Sequence, residues 1–260
     1  MKAIKELGQH FLNDPALAAK IADLGEISPG ERIWEIGPGP GILTNEILSR
    51  GATLEAFELD KRMASLLYER FGGNLELVIT DILKLNWAEQ IATGSSPIKV
   101  IANIPYQITS PLLYMIQEHS EHFRHLVLMV QKEVAERLSA KPGKKDYGPL
   151  TIKLGLCYEI HTAFMVGREC FDPVPKVDSA VITLRARTDS PSITNPHLFY
   201  KVLTAAFAHR RKTLRNNLIP LLGRDEMQSL EQKSDIDFNR RAETLDEKEF
   251  IRLSDIVAEL

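Results

Sequence analysis

The 260-residue chain sets 32 Lys and Arg against 35 Asp and Glu, a formal net charge of −3, with 44% hydrophobic and 26% charged residues. That balance excludes a disordered or low-complexity polypeptide, leaves apolar material for a full α/β core plus a small appended domain, and weighs against a nucleic-acid binder relying on overall positive charge. The two cysteines, Cys157 and Cys170, lack C-x-x-C or metal-ligand spacing, no apolar run approaches a transmembrane length, and Met1 to Leu7 lack a signal-peptide stretch, so a reduced, cytoplasmic, metal-free protein is expected.

In chain order, Arg32-Ile33-Trp34 reads as a short strand running into Glu35-Ile36-Gly37-Pro38-Gly39-Pro40-Gly41, followed by a helix-like segment to Arg50. Glycines at 37, 39 and 41 allow close backbone approach to a ligand and a sharp turn into a helix N-terminus. Thr53–Phe57 reads as a second strand ending at Glu58, and Leu75–Ile79 as a third ending in Thr80-Asp81. Each acid alone reads equally well as a solvated cap. The apolar run Ile98–Ala102 is a fourth strand, ending in Asn103-Ile104-Pro105-Tyr106. Ala180–Leu184 reads as the last strand, and Thr188–Pro196 as a polar, Pro-containing linker before helical periodicity. The division expected is a doubly wound α/β sheet domain over 1–187 and a small all-helical domain over 188–260.

Successive β-α units ending in a glycine loop, an acid, a second acid and Asn-Ile-Pro-Tyr place these groups along one crevice at the carboxyl edge of a parallel sheet. An acid about 20 residues past a glycine loop typically receives ribose hydroxyls, which suits Glu58, while Asp81 suits an amino-bearing purine. The G-x-G-x-G spacing is not the dinucleotide fingerprint, and no phosphate-cradle Lys or Thr is placed in the loop. S-adenosylmethionine, an adenosine with a sulfonium and no phosphate, fits an acid-rich, lysine-poor crevice. Asn103 offers an amide oxygen and Tyr106 a flat face, parts suited to a planar base with an exocyclic amine. An ordinary strand-to-loop turn with Tyr106 tucked inward is the alternative.

These stretches, with Gly8-Gln9-His10-Phe11-Leu12, Gln131-Lys132-Glu133-Val134, Phe171-Asp172-Pro173-Val174-Pro175-Lys176-Val177-Asp178-Ser179 and Arg210-Arg211-Lys212-Thr213-Leu214-Arg215-Asn216-Asn217-Leu218, resemble the rRNA adenine N6-dimethyltransferase family. The last two resemble its KsgA-type, small-subunit branch more than its Erm-type, large-subunit branch. The family often carries Asn at the position of His10 and Leu at that of Ile104. The resemblance implies a Rossmann-like S-adenosylmethionine-dependent methyltransferase domain with a helical RNA-recognition domain. It implies cofactor contacts at His10, Leu12, Gly37, Glu58, Asp81 and Asn103, and a flipped adenine sandwiched by Tyr106 and Phe171. Asn103 and the Pro105 carbonyl are expected to accept the two N–H groups of that adenine's amine, so that its lone pair points at the methyl.

Along 198–219, read as one helix, Phe199, Leu203, Phe207, Leu214 and Leu218 form an apolar stripe. Arg210 falls within it and is expected to serve as a buried or snorkelling partner at a domain seam. Lys212 and Arg215 point away and Arg211 sits at the edge, the expected RNA-backbone contacts. Lys2, Lys5, Lys141, Lys144 and Lys145 are further basic candidates. The expected activity is N6,N6-dimethylation of two adjacent adenosines in a small-subunit (16S) rRNA hairpin loop, by a monomer acting on a partly assembled 30S particle. The rivals are a 23S resistance-type enzyme, a nicotinamide oxidoreductase and a catalytically idle assembly factor.

Overall fold

The computed structural model describes residues 4, 7–95 and 97–260; Lys2 and Lys5 lie outside the described residues. The elements in chain order are β1 (Phe11–Leu12), α1 (Pro15–Leu24), β2 (Arg32–Ile36), α2 (Ile42–Ser49), β3 (Thr53–Glu58), α3 (Lys61–Phe71), β4 (Glu76–Ile79), α4 (Trp87–Ala92), β5 (Ile98–Asn103) and α5 (Thr109–Glu118). They continue with β6 (Phe123–Gln131), α6 (Lys132–Leu138), α7 (Pro149–Cys157), β7 (Tyr158–Val166), β8 (Phe171–Asp172) and β9 (Ser179–Ala186). Last come α8 (Pro196–Ala206), α9 (Leu214–Leu222), α10 (Arg224–Lys233) and α11 (Glu247–Ala258). Among the described residues, seven strands form one sheet in the order β4-β3-β2-β5-β6-β9-β7. β4 through β6 run parallel, and β9 is antiparallel to both β6 and β7. The strands read as apolar runs because helices cover both faces of a parallel sheet; every residue of β2 is buried.

Buried charge in the sheet is paired. The Arg32 guanidinium grips both oxygens of Glu55 and donates to the Ile91 and Gln90 carbonyls at 2.7 and 2.8 Å. Trp34 and Gln90 complete Glu55, donating to Oε2 at 3.1 and 2.9 Å.

Two compact units are present: residues up to Ala135 with Cys157–Arg187, and Glu136–Leu156 with Thr188–Leu260. Residues 136–156 therefore belong with the helices, where the sequence reading placed them with the sheet. The cause is packing, since Ile152 and Leu156 of α7 share one apolar core with Phe199, Leu203, Leu218 and Phe250. The stretch expected as one helix over 198–219 is two, because α8 stops at Ala206 and α9 starts at Leu214. Thr213 caps α9 by accepting from Asn216 N, and buried Asn217 donates to the Ala206 and His209 carbonyls at 2.6 and 3.1 Å.

Candidate active site

The sheet order reverses direction between β2 and β5, and a parallel sheet opens a crevice at such a switch point, beyond the carboxyl ends of its strands. The cleft found there is lined by Gly37, Glu58, Asp81, Asn103, Pro105 and Tyr106, each carried by the tip of β2, β3, β4 or β5. His10 and Leu12 line it as well, brought across by pairing of β1 with β8. Gln9 helps tie that segment down, donating to Asp60 at 2.9 Å. No local sequence signal marks this arrangement; only the resemblance did.

Backbone geometry explains the glycine loop. Gly37 has φ 67°, and a side chain there would press against the Pro105 ring at 3.1 Å. Gly41 opens α2 at φ 85°, where a Cβ would collide with the Phe71 ring at 2.6 Å. Glu58 is buried and rigidly held, accepting from Gly39 N at 3.1 Å and Asp60 N at 2.8 Å. Burial raises its pKa, while those backbone N–H groups oppose the rise.

Sequence reading gave Glu35 no role. It lines the cleft yet is 1% exposed, accepting a 2.7 Å hydrogen bond from the Thr44 hydroxyl. Burial pushes its pKa up to about 8; Thr44 opposes the shift and Glu58 adds to it. The folded protein thus keeps a proton that the unfolded chain releases from about pH 4.5 upward. This contribution to stability is full below that pH and is lost as pH rises toward 8. Between about pH 5.5 and 7.5 the wild type should lose roughly 2–3 kcal/mol relative to Glu35→Gln, read from urea unfolding. Parallel pH curves for the two proteins would refute the assignment.

With Glu58 and Asp81 in its lining and no Lys or Arg among the described residues, the cleft suits a cationic ligand better than a pyrophosphate. S-adenosylmethionine fits that donor set. Two expectations need correction. The Pro105 carbonyl is already engaged, accepting from Ile108 N at 3.1 Å and the Thr109 hydroxyl at 3.4 Å. Ile104 also lines the cleft, and its carbonyl accepts no hydrogen bond among the described residues. The open acceptor beside Asn103 is therefore Ile104. Phe171, expected to stack on a base, is 1% exposed and packs in the apolar core with Leu12, Val166 and Val181. Its backbone pairs with Leu12, so it supports the N-terminal segment from beneath.

Residues 1–259 match the family model described as Ribosomal RNA adenine dimethylase. The chain belongs to this family. It is 40% identical to Ribosomal RNA small subunit methyltransferase A of Lactobacillus helveticus, over 98% of this chain and 91% of that protein. The protein of the same name from Enterococcus faecalis is 41% identical, over 96% of this chain and 88% of that one. Among solved structures, a dimethyladenosine transferase from Plasmodium falciparum superposes with TM-score 0.77 at 29% identity, covering 94% of this chain and 96% of that one. The 23S rRNA methyltransferase ErmE does so with TM-score 0.69 at 25% identity, covering 95% and 99%.

In this ribosomal RNA adenine dimethylase family member, the basic candidates of the helical unit sit on exposed loops, except Arg215 in the first turn of α9. Arg211 and Lys212 lie in the turn between α8 and α9, fully at the surface, as are Lys141, Lys144 and Lys145. Arg210 is half-exposed rather than buried, donating to the Tyr147 carbonyl at 2.6 Å, with Glu243 at 3.8 Å. That tie brings the lysine loop beside the turn. Arg215 is paired with Glu231 at 3.1 Å. No helix among the described residues is long and apolar enough to cross a membrane.

Proposed function

We propose that this family member transfers methyl groups from S-adenosylmethionine to N6 of two adjacent adenosines in a small-subunit rRNA hairpin loop. The observation that carries this reading is Asn103 at the tip of β5, beside an open backbone carbonyl and in the same cleft as Glu58 and Asp81. The names of the relatives favour the small subunit over the large.

Glu58 is suited to ribose hydroxyls, Asp81 to the cofactor's adenine amine, and Gly37 to its amino-acid end, with Leu12 and His10 covering the segment above. The cofactor supplies an electrophilic methyl on a sulfonium. The chain's own task is to make a poor nucleophile competent. An adenine amine delocalises its lone pair into the ring; acceptors at Asn103 Oδ1 and the Ile104 carbonyl draw both N–H bonds aside and favour a pyramidal nitrogen. Tyr106 holds the extruded base by its face, which requires an unstacked loop adenine. Arg211, Lys212, Arg215 and the lysine loop would grip phosphates. A monomer acting in the cytoplasm on a partly assembled 30S particle completes the reading.

The test is incubation of the protein and labelled cofactor with undermethylated 30S particles, 50S particles and free RNA, followed by mapping. Label at adjacent dimethyladenosines in the small-subunit RNA is expected. Label in 50S RNA alone would indicate the resistance-type activity, and no label at all an idle assembly factor.

A further inference from the structure

The turn between α8 and α9 carries two exposed cations that the reading above gives to RNA phosphates, and a buried side chain lies beneath it. Lys212 N donates to the His209 carbonyl at 3.0 Å, closing a β-turn with Arg210 and Arg211 at its centre. Arg210 folds back onto the Tyr147 carbonyl, while Arg211 and Lys212 face solvent. Asn217 of α9 is 3% exposed, and its Nδ2 donates both to the His209 carbonyl and to that of Ala206, the last residue of α8. The start of α9 is itself anchored, with Leu214 N and Arg215 N donating to the Arg240 and Phe238 carbonyls at 2.8 and 3.0 Å. The Oδ1 of Asn217 is buried and has no hydrogen-bond partner among the described residues.

We infer that Asn217 is a positioning residue for RNA binding: its amide clamps the α8–α9 turn from within, so that Arg211 and Lys212 stand in their binding geometry before RNA arrives. This rests on the rRNA-binding reading above. A connection left free between two helices samples many shapes, and ordering it on contact subtracts from affinity. One amide NH2 group carries two donors and can therefore span two carbonyls. The two it spans are a carbonyl that the end of α8 leaves open and the first carbonyl of the β-turn, which fixes the turn on the helix. With Lys212 N and Asn217 both donating to it, the His209 carbonyl has both lone pairs engaged. The stranded oxygen shows which end of the amide matters. Burying an unpaired acceptor is unfavourable, and rotating the amide would strand both carbonyls as well.

The experiment measures binding of undermethylated 30S particles over a range of salt concentrations. Asn217→Ala, and Asn217→Leu, which keeps a branched side chain without donors, should each weaken binding about tenfold. They should also flatten the salt dependence by about one to two phosphate contacts, with S-adenosylmethionine affinity unchanged. The double variant Arg211→Ala/Lys212→Ala should weaken binding by itself, and adding Asn217→Ala to it should then cost less than about twofold. A merely structural role would give the same loss in both backgrounds. In free wild-type protein the Lys212 amide should already be protected from hydrogen exchange, and RNA should change that little. This last measurement decides the matter even where an Asn217 variant fails to fold. Full additivity, or a turn protected only once RNA is bound, overturns the inference. A double variant that binds like wild type refutes the RNA-contact reading and the clamp with it; a weakened double variant beside an unaffected Asn217→Ala refutes the clamp alone.

Discussion

Replacing Asn103 by Ala is expected to lower the methyl-transfer rate by roughly 10²–10³-fold, the cost typical of removing one pre-placed polar group from a developing charge. Cofactor affinity should change little. The residue closes β5, with its backbone registered against Met129 and the next amide donating to the Met129 carbonyl at 3.1 Å. Truncating its side chain therefore leaves the strand tip in place. Its Nδ2 donates to the His10 carbonyl, which orients the amide and leaves Oδ1 as the free acceptor. Losing that oxygen removes half of the device that re-hybridises the amine, and the Ile104 carbonyl alone cannot hold both N–H groups. Single-turnover methylation and calorimetric cofactor binding measure the two quantities separately. A variant with near-wild-type turnover would remove the amide from the mechanism.

Arg32→Ala should destabilise the sheet unit by about 3–5 kcal/mol, the range for stripping one partner from a buried ion pair. Arg32 and Glu55 are each about 5% exposed in their side chains. Without the guanidinium, Glu55 keeps only the Trp34 and Gln90 donors for a full negative charge, and the Ile91 carbonyl loses the Arg32 donor. Both tryptophans of the chain, Trp34 and Trp87, lie in this unit with rings 5.5 Å apart. Intrinsic fluorescence therefore follows its unfolding, and a fall in midpoint of about 10 °C is expected. The double replacement Arg32→Met with Glu55→Leu should recover most of the loss, because the two charges leave together. A single variant melting within a degree or two of wild type would show the pair to be dispensable.

The strand tips were legible because they follow from periodicity. Each apolar run predicts a buried parallel strand, and whatever ends it must sit at the carboxyl edge, which is how Glu58, Asp81 and Asn103 come together. Contacts made across the chain were not legible in that way. The approach of His10 to Tyr106 depends on β1 pairing with β8, and nothing near residue 10 announces a partner near residue 172. Phe171 misled for the same reason: followed by Pro173 and Pro175, it reads as a loop aromatic, yet its backbone joins a strand and its ring drops inward. Pro105 against Ile104 turned on a single local hydrogen bond, Ile108 N to the Pro105 carbonyl, which spacing alone does not reveal. The break between α8 and α9 did leave a trace, since Thr213 is a preferred N-cap residue standing inside the apolar stripe.

The pairing of β1 with β8 also sets an order of events in the life of each molecule. A nascent chain can lay down the glycine loop and the tips of β3, β4 and β5 early, but residues 9–12 have no seat until Phe171–Asp172 has left the ribosome. The cleft at the strand tips is thus among the last parts of the sheet unit to close. Once built, this edge rests on the two-residue ladder and a few flanking bonds, Asn13 N to the Cys170 carbonyl at 3.0 Å and Gln9 to Asp60 at 2.9 Å among them, a seam far smaller than those between the long strands.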